Sequence, residues 1–297
     1  MKIQWYPGHM TKAKRKMESD VKLVDMVVEL VDARAPIATR NPDIRRIAKG
    51  KQILILLNKS DLADDSVTKK WIEYFRSEGA MAVALDGRKR DSIEQVKKAS
   101  QKLLAAKRER DLKRGITGER AIKAMICGIP NVGKSTFINS MLGKASAKTG
   151  NKPGVTKGNQ WINVNDELLM LDTPGVLWPK FDDEHTAECL AFIGSVNDDI
   201  INLEELANEL LYYLYNNYRA NVFDRYQISE DEFEKALLGI DDGILGVKKE
   251  PLALLNLISV KRGALKKGAQ YDYAKAAKFV IDDFRSGRLG RISLERP

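Results

Sequence analysis

The segment Gly128-Ile129-Pro130-Asn131-Val132-Gly133-Lys134-Ser135 has the spacing G-x-x-x-x-G-K-S, and that spacing suits one task, holding a chain of phosphates. Glycines let backbone N–H groups wrap phosphate oxygens, and the helix expected to begin here adds positive potential at its N-terminus. Lys134 reaches the terminal phosphates as a catalytic cation, the Ser135 hydroxyl is a ligand for Mg2+, and Val132, Gly133 and Thr136 complete the surface facing the nucleotide. Asp172-Thr173-Pro174-Gly175 begins 37 residues beyond Ser135, at the end of an apolar run. There Asp172 can hold magnesium through water, and the Gly175 N–H can meet a γ-phosphate. Between the two lies Pro153-Gly154-Val155-Thr156, in which Thr156 is a third metal-ligand candidate or simply a turn residue.

Asn58-Lys59-Ser60-Asp61 supplies the choice of base. A carboxylate only accepts hydrogen bonds, so Asp61 suits the N1–H and exocyclic amine of guanine and leaves adenine unmatched. Asn58 can read the other edge and hold the loop, while Lys59 lays its aliphatic stem over the base. Such a tetrad is also a common helix cap; together with the phosphate loop it points to GTP and GDP rather than ATP.

These residues need a scaffold that brings several loops to one edge. Apolar runs of strand length at 26–31, 53–57, 81–85, 124–127, 160–164 and 168–171 alternate with helical periodicity at 67–77, 93–104 and 136–142. That rhythm predicts an α/β domain with a mostly parallel sheet flanked by helices. Residues 107–120 read as a helix end running into a linker. After Pro179 the pattern is helical throughout, at 187–193, 203–218, 230–238, 251–259 and 271–285. The expected division is a nucleotide domain over 1–179, with a basic N-terminal arm, and a small all-α domain over 180–297.

The order of the motifs is unusual, because Asn58–Asp61 precedes the phosphate loop by about seventy positions where the common arrangement places it afterwards. With this order go the opening Trp5-Tyr6-Pro7-Gly8-His9-Met10, the strand ending Val31-Asp32-Ala33-Arg34-Ala35-Pro36, and the helical tail. Over essentially its whole length the chain resembles the bacterial ribosome biogenesis GTPase A family of circularly permuted Ras-like GTPases. The resemblance implies a circularly permuted P-loop GTPase domain, a helical RNA-binding domain, and a role in late maturation of the large ribosomal subunit and its RNA. The loop that usually reads Ser-Ala-Lys behind the base is here Leu85-Asp86-Gly87, so Asp86 and Gly87 are candidates to meet guanine through their backbone. Val176 stands where Ras-like enzymes carry a water-orienting glutamine, which implies slow hydrolysis alone and activation by a partner. Asn131 stands where similar GTPases use an asparagine to hold K+ against the phosphates; a turn residue is the other reading.

His9 is a catalytic candidate, because an imidazole on a movable segment can orient water at neutral pH; an arm contacting RNA or a partner is the alternative. His185, among Asp182, Asp183 and Glu184, reads as surface. Charge is uneven: residues 1–179 net +14, residues 180–247 net −12, and residues 248–297 net +7. Two basic regions suit phosphate backbones, although solvated lysine-rich helix faces give the same count. Lys266, Lys267, Lys275 and Lys278 accompany Tyr271 and Tyr273 near the C-terminus, a combination able to grip RNA by phosphate contact and stacking, or to leave the tyrosines in a core. Cys127 and Cys189 have neither a disulfide pattern nor the spacing of a zinc site, and no apolar run is long enough for a bilayer. A soluble, cytoplasmic monomer without membrane attachment is expected. Rival readings are an RNA-binding assembly protein whose guanine nucleotide is mainly structural, and a GTPase acting on another RNA or protein.

Overall fold

The six apolar runs become six strands of one sheet. The structure, a computed structural model, describes residues 8–89, 91–113, 115, 121–142, 160–178, 183–240 and 248–297. In chain order the first elements are α1 (Gly8–Asp20), β1 (Met26–Asp32), α2 (Pro42–Ile47), β2 (Gln52–Asn58), α3 (Asp65–Ser77), β3 (Met81–Ala84), α4 (Asp91–Lys113), β4 (Ile122–Cys127), α5 (Lys134–Leu142), β5 (Gln160–Asn165) and β6 (Leu168–Asp172). The strands lie in the order β3-β2-β1-β4-β6-β5, parallel except for β5, which runs antiparallel to β6. Helices on a parallel sheet bury its central strands on both faces, and β1 is accordingly buried at all seven positions. On one side Val31, Ile55 and Leu57 pack against Val67, Trp71 and Phe75 of α3.

Strand order explains why permutation is tolerated. β2 and β3 lie to one side of β1, and the chain then crosses to β4 on the other side. Parallel sheets place ligands at the carboxyl ends of strands where the order reverses. The loops after β1, β2, β3, β4 and β6 therefore meet at one edge whichever strand comes first.

Two compact units are present, Met1–Leu190 with Ser293–Pro297, and Ala191–Ile292. The division thus falls eleven residues beyond the change of pattern at Pro179, and the last five residues return to the first unit. The return is held by a backbone bond and a side chain: Leu294 N–H donates to Arg34 C=O (2.7 Å), and the Glu295 carboxylate accepts from the N–H groups of Ile37 (2.7 Å) and Ala38 (2.9 Å). The basic N-terminal segment is not a loose arm from Gly8 onward, since Met10 and Met17 of α1 are buried one heptad apart, with Val21 beyond them. α4 ends at Lys113, within the stretch read as a helix end running into a linker, and its last turn carries the Glu109–Lys113 pair (2.8 Å) of an exposed helix.

α6 (Glu184–Phe192) closes the first unit's share of the chain and enters the second. The second unit then holds α7 (Leu203–Tyr226), α8 (Glu230–Leu238), α9 (Lys249–Lys261) and α10 (Tyr273–Arg285). α7 kinks at Tyr218 (φ −144°, ψ 39°), where the sequence pattern ends the helix, and resumes to bury Val222, Phe223 and Tyr226. Ser229 and Glu232 form a reciprocal capping box at the start of α8.

Asp283 of α10 is buried and accepts hydrogen bonds from Arg225 (2.8 Å) and Arg288, with Arg262 3.6 Å away. Burial alone would raise its pKa; hydrogen bonds from Arg225 and Arg288 overcome that and hold it below the usual carboxylate range. A depressed folded-state pKa contributes stability that is present above the unfolded value and lost as pH falls through the folded one. Asp283→Ala removes the shared acceptor of Arg225 and Arg288, whose own side chains stay 24% and 50% exposed, and losing such charge-assisted hydrogen bonds costs about 1.5–3 kcal/mol. The expected result is an early unfolding transition of the helical unit in urea, and loss below pH ~4 of most of the difference between variant and parent.

Candidate nucleotide site

β4 ends at Cys127, and the chain turns through Gly128 and Gly133 into α5. Both glycines are obligatory for the backbone. Gly128 has φ +150° and Gly133 φ +96°, and a Cβ on Gly133 would lie 2.4 Å from Asn58 Nδ2. Asn131 also takes the left-handed conformation, at φ 62°. Lys134 is buried, and its ammonium donates to the carbonyls of Gly128 (3.0 Å) and Ile129 (2.8 Å), so it folds back over the loop. Burial draws its pKa down to about 8 against the raising influence of Asp172. Ser135 is half-buried beside it, and Thr136 is exposed on the first turn of α5.

Asp172 ends β6 and is 3% exposed. Burial pushes its pKa up to about 6, with Lys134 pulling the other way. Its Oδ1 is buried with no hydrogen-bond partner among the described residues. A buried acceptor without a donor is costly unless a cation or water completes it, so Asp172 and Ser135 suit a hydrated magnesium ion. Thr156 lies outside the described residues. Thr173 Oγ1 donates to Ile126 C=O (2.7 Å), fixing the start of Asp172–Gly175 against β4. A Cβ on Gly175 would fall 2.9 Å from Lys134 Nζ and from Pro130, so this residue admits no side chain and brings its backbone to the phosphate loop. The next residue, Val176, is 3% exposed, and its carbonyl accepts from Asn41 Nδ2 (2.7 Å).

The tetrad Asn58–Asp61 leaves β2 with Lys59 in the left-handed region, φ 58°. Asn58 is a strut between loops: its Nδ2 donates to Val132 C=O (2.7 Å) and its Oδ1 accepts from Gly87 N–H (2.8 Å). Ser60 N–H donates to Leu85 C=O (3.2 Å). Lys59 Nζ donates to Asn131 C=O (2.7 Å) and pairs with Asp32 (3.0 Å), so its stem spans the pocket from the end of β1 to the phosphate loop. Asn58, Lys59, Ser60, Asp61, Asp86, Gly87, Asn131, Val132, Gly133, Lys134, Ser135, Asp172 and Gly175 thus all lie on loops or element ends at the carboxyl edge of the sheet. His9 falls in the first turn of α1, and its side chain lies outside the described residues.

Two parts of the site had no role assigned from sequence. Asp32 is fully buried and accepts from the Arg34 guanidinium at both oxygens (2.9 Å each). Burial would raise its pKa, and Arg34 and Lys59 together hold it far below the carboxylate range, as a fixed anion that positions Lys59. The signal was the charged triplet Asp32-Ala33-Arg34 at the end of an otherwise apolar strand. Arg88 is the second part: its Nη2 donates to Asp61 (2.6 Å) and Asp86 (2.9 Å), and its Nε to Asp86 (2.8 Å). A guanidinium therefore engages the carboxylate suited to the donor edge of guanine.

An Asn-Lys-x-Asp tetrad after β2, a glycine-rich phosphate loop after β4 and an Asp-x-x-Gly segment after β6, in that permuted order on a mostly parallel sheet, define a circularly permuted P-loop GTPase. A family model described as 50S ribosome-binding GTPase matches residues 123–237. The chain is 41% identical over 297 residues to ribosome biogenesis GTPase A of Priestia megaterium, covering 100% of this chain and 98% of that protein. It is 43% identical to ribosome biogenesis GTPase A of Bacillus licheniformis, at 100% and 99% coverage. Among solved structures, a GNP-bound YlqF from T. maritima is similar with a TM-score of 0.61 and 29% identity, over 96% of this chain and 98% of that one. The chain belongs to the ribosome biogenesis GTPase A family and is a GTPase that cleaves GTP to GDP and phosphate.

Proposed function

We propose that the protein is a cytoplasmic, monomeric assembly factor that binds the immature large ribosomal subunit and its RNA, promotes late maturation, and leaves when GTP is hydrolysed. The full-length likeness to ribosome biogenesis GTPase A proteins carries this reading. It is supported by charge, since the exposed Lys266, Lys267 and Lys278 of the helical unit offer cations to a phosphate backbone. Tyr271 is exposed while Tyr273 is partly buried and donates to Asn256 (2.8 Å), so Tyr271 is the stacking candidate. Among the described residues no helix is long and apolar enough to cross a membrane.

In this reading Asp61 accepts from N1–H and the 2-amino group of guanine after Arg88 gives way, Lys59 covers the base, and Gly87 N–H and Asn58 brace that face. Lys134 exchanges the carbonyls of Gly128 and Ile129 for the β- and γ-phosphates, where its charge counts most because the site is desolvated. Gly175 N–H meets the γ-phosphate. Ser135, Asp172 and Thr156 would hold magnesium, which neutralises phosphate charge when bound. K+ held by Asn131 would add to this. Val176 is apolar and buried and cannot orient water, so the activating group comes with the partner or from His9.

GTP turnover measured in potassium buffer, with and without purified large subunits and with ATP as control, tests the whole proposal. Strong stimulation confined to GTP is the expected result; equal rates with and without subunits would refute the ribosomal activation. The buried Val176 favours one rival, a nucleotide that is structural and hardly turns over, and partner-stimulated turnover excludes it. His9→Ala should lower the stimulated rate about 10²–10⁴-fold while leaving nucleotide affinity unchanged. An unaltered stimulated rate would remove His9 from the reaction.

A further inference from the structure

α6 carries His185 and Cys189 one turn apart, which places both on the same face of the helix. His185 is exposed and Cys189 is 1% exposed. The returning C-terminal segment brings Glu295 to them, so that a ring nitrogen, the thiol sulfur and a carboxylate oxygen all lie within 4.8 Å of one another. His185 Nε2 and Cys189 Sγ are 3.6 Å apart. A tetrahedral zinc ion with Zn–S of about 2.3 Å and Zn–N of about 2.05 Å requires a sulfur–nitrogen separation of roughly 3.6 Å.

The acidic ligand is already positioned. The Glu295 oxygens accept from Ile37 N–H and Ala38 N–H, which fix the carboxylate and leave each oxygen a further lone pair. This is the support that metal ligands need from their surroundings. We propose that His185, Cys189 and Glu295 form a binding site for a zinc-class divalent cation, independent of the nucleotide's magnesium. One thiolate, one carboxylate and a neutral imidazole balance the ion's charge and are the N, S and O donors that such a borderline cation prefers. Binding releases the Cys189 thiol proton to solvent. The fourth position is open to water or to Asp183, whose carboxylate caps α6 through Thr186 N–H (2.6 Å).

Sequence spacing hid the site, because its two helical ligands sit 106 residues or more before the third. The ion would clip α6 to the C-terminal segment and, through Ile37 and Ala38, to the turn that follows the Asp32–Arg34 pair. The clip thus joins the helix downstream of the γ-phosphate-sensing segment to the strand end that braces Lys59.

Cobalt(II) titration of the full chain, stripped of metal under reductant, tests the proposal. One equivalent should bind with a thiolate-to-cobalt charge-transfer band, and zinc should abolish the band by displacement. Cobalt held by the Ser135 hydroxyl and the Asp172 carboxylate gives no such band, since both of those ligands are oxygens. Cys189→Ser should eliminate it, and His185→Ala, at an exposed position that leaves the core intact, should weaken binding by about 100-fold or more. Cys127→Ser should leave it unchanged. Absence of the band in the parent protein, its survival in Cys189→Ser, or an undiminished cobalt affinity in His185→Ala overturns the proposal and leaves only a weak S–H···N contact.

Discussion

Asp61→Asn should lower GTP affinity by about 10²–10⁴-fold and make xanthosine triphosphate the better ligand. Two charge-assisted hydrogen bonds to guanine are worth about 1.5–3 kcal/mol each, and each 1.4 kcal/mol is tenfold in affinity. An amide oxygen still accepts N1–H, but the amide NH₂ now faces the guanine 2-amino group, donor against donor. Xanthine carries a carbonyl there and restores the match. The fold should tolerate the change, because Asp61 stands in a short turn at the pocket mouth with its side chain 24% exposed. Competition binding with both nucleotides is the measurement. Unchanged preference for GTP would mean that Asp61 does not face the base, and that Asp86, held beside it by the same arginine, takes its place.

Lys134→Ala should reduce kcat/KM for GTP by about 10³-fold or more, both with and without a stimulating particle. The ammonium lies in a buried pocket, where a positioned charge acts on phosphate with little screening. Its pKa of about 8 leaves it mostly charged at pH 7. Deprotonation above that value should therefore reproduce part of the mutant's loss as a falling alkaline limb in the parent. The variant also leaves Asp172 without its nearest cation, and the carboxyl, already at about 6, should rise further. Turnover within an order of magnitude of the parent would remove Lys134 from the reaction.

Much of this arrangement could be read from residue order, and the exceptions have physical reasons. All six strands fell where apolar runs are bounded by turn residues; the central ones, such as β1, are buried on both faces and leave an uninterrupted signature. The glycine-rich loop Gly128–Ser135 and the tetrad Asn58–Asp61 stand out in the sequence because each has fixed residue types at fixed spacing, and the fold brings both to the carboxyl edge of the sheet. α1 was missed because its buried methionines are scattered among lysines, and a stripe that narrow barely registers above the charge. The second half of α7 was missed because the kink at Tyr218 shifts the phase of its apolar face. The Arg88 bridge and the Glu295 contacts join residues 27 and 258 positions apart. Only the fold brings those together, and no local pattern announces them.

The return of residues 293–297 to the first unit has a consequence for the helical unit's connectivity. A terminal appendage hangs by one covalent link, but residues 191–292 leave the GTPase unit and come back to it. Topologically the helical unit is an insertion closed at both ends. One proteolytic cut within it leaves its first part covalently attached to the GTPase unit, while its second part is held there only through the docked residues 293–297.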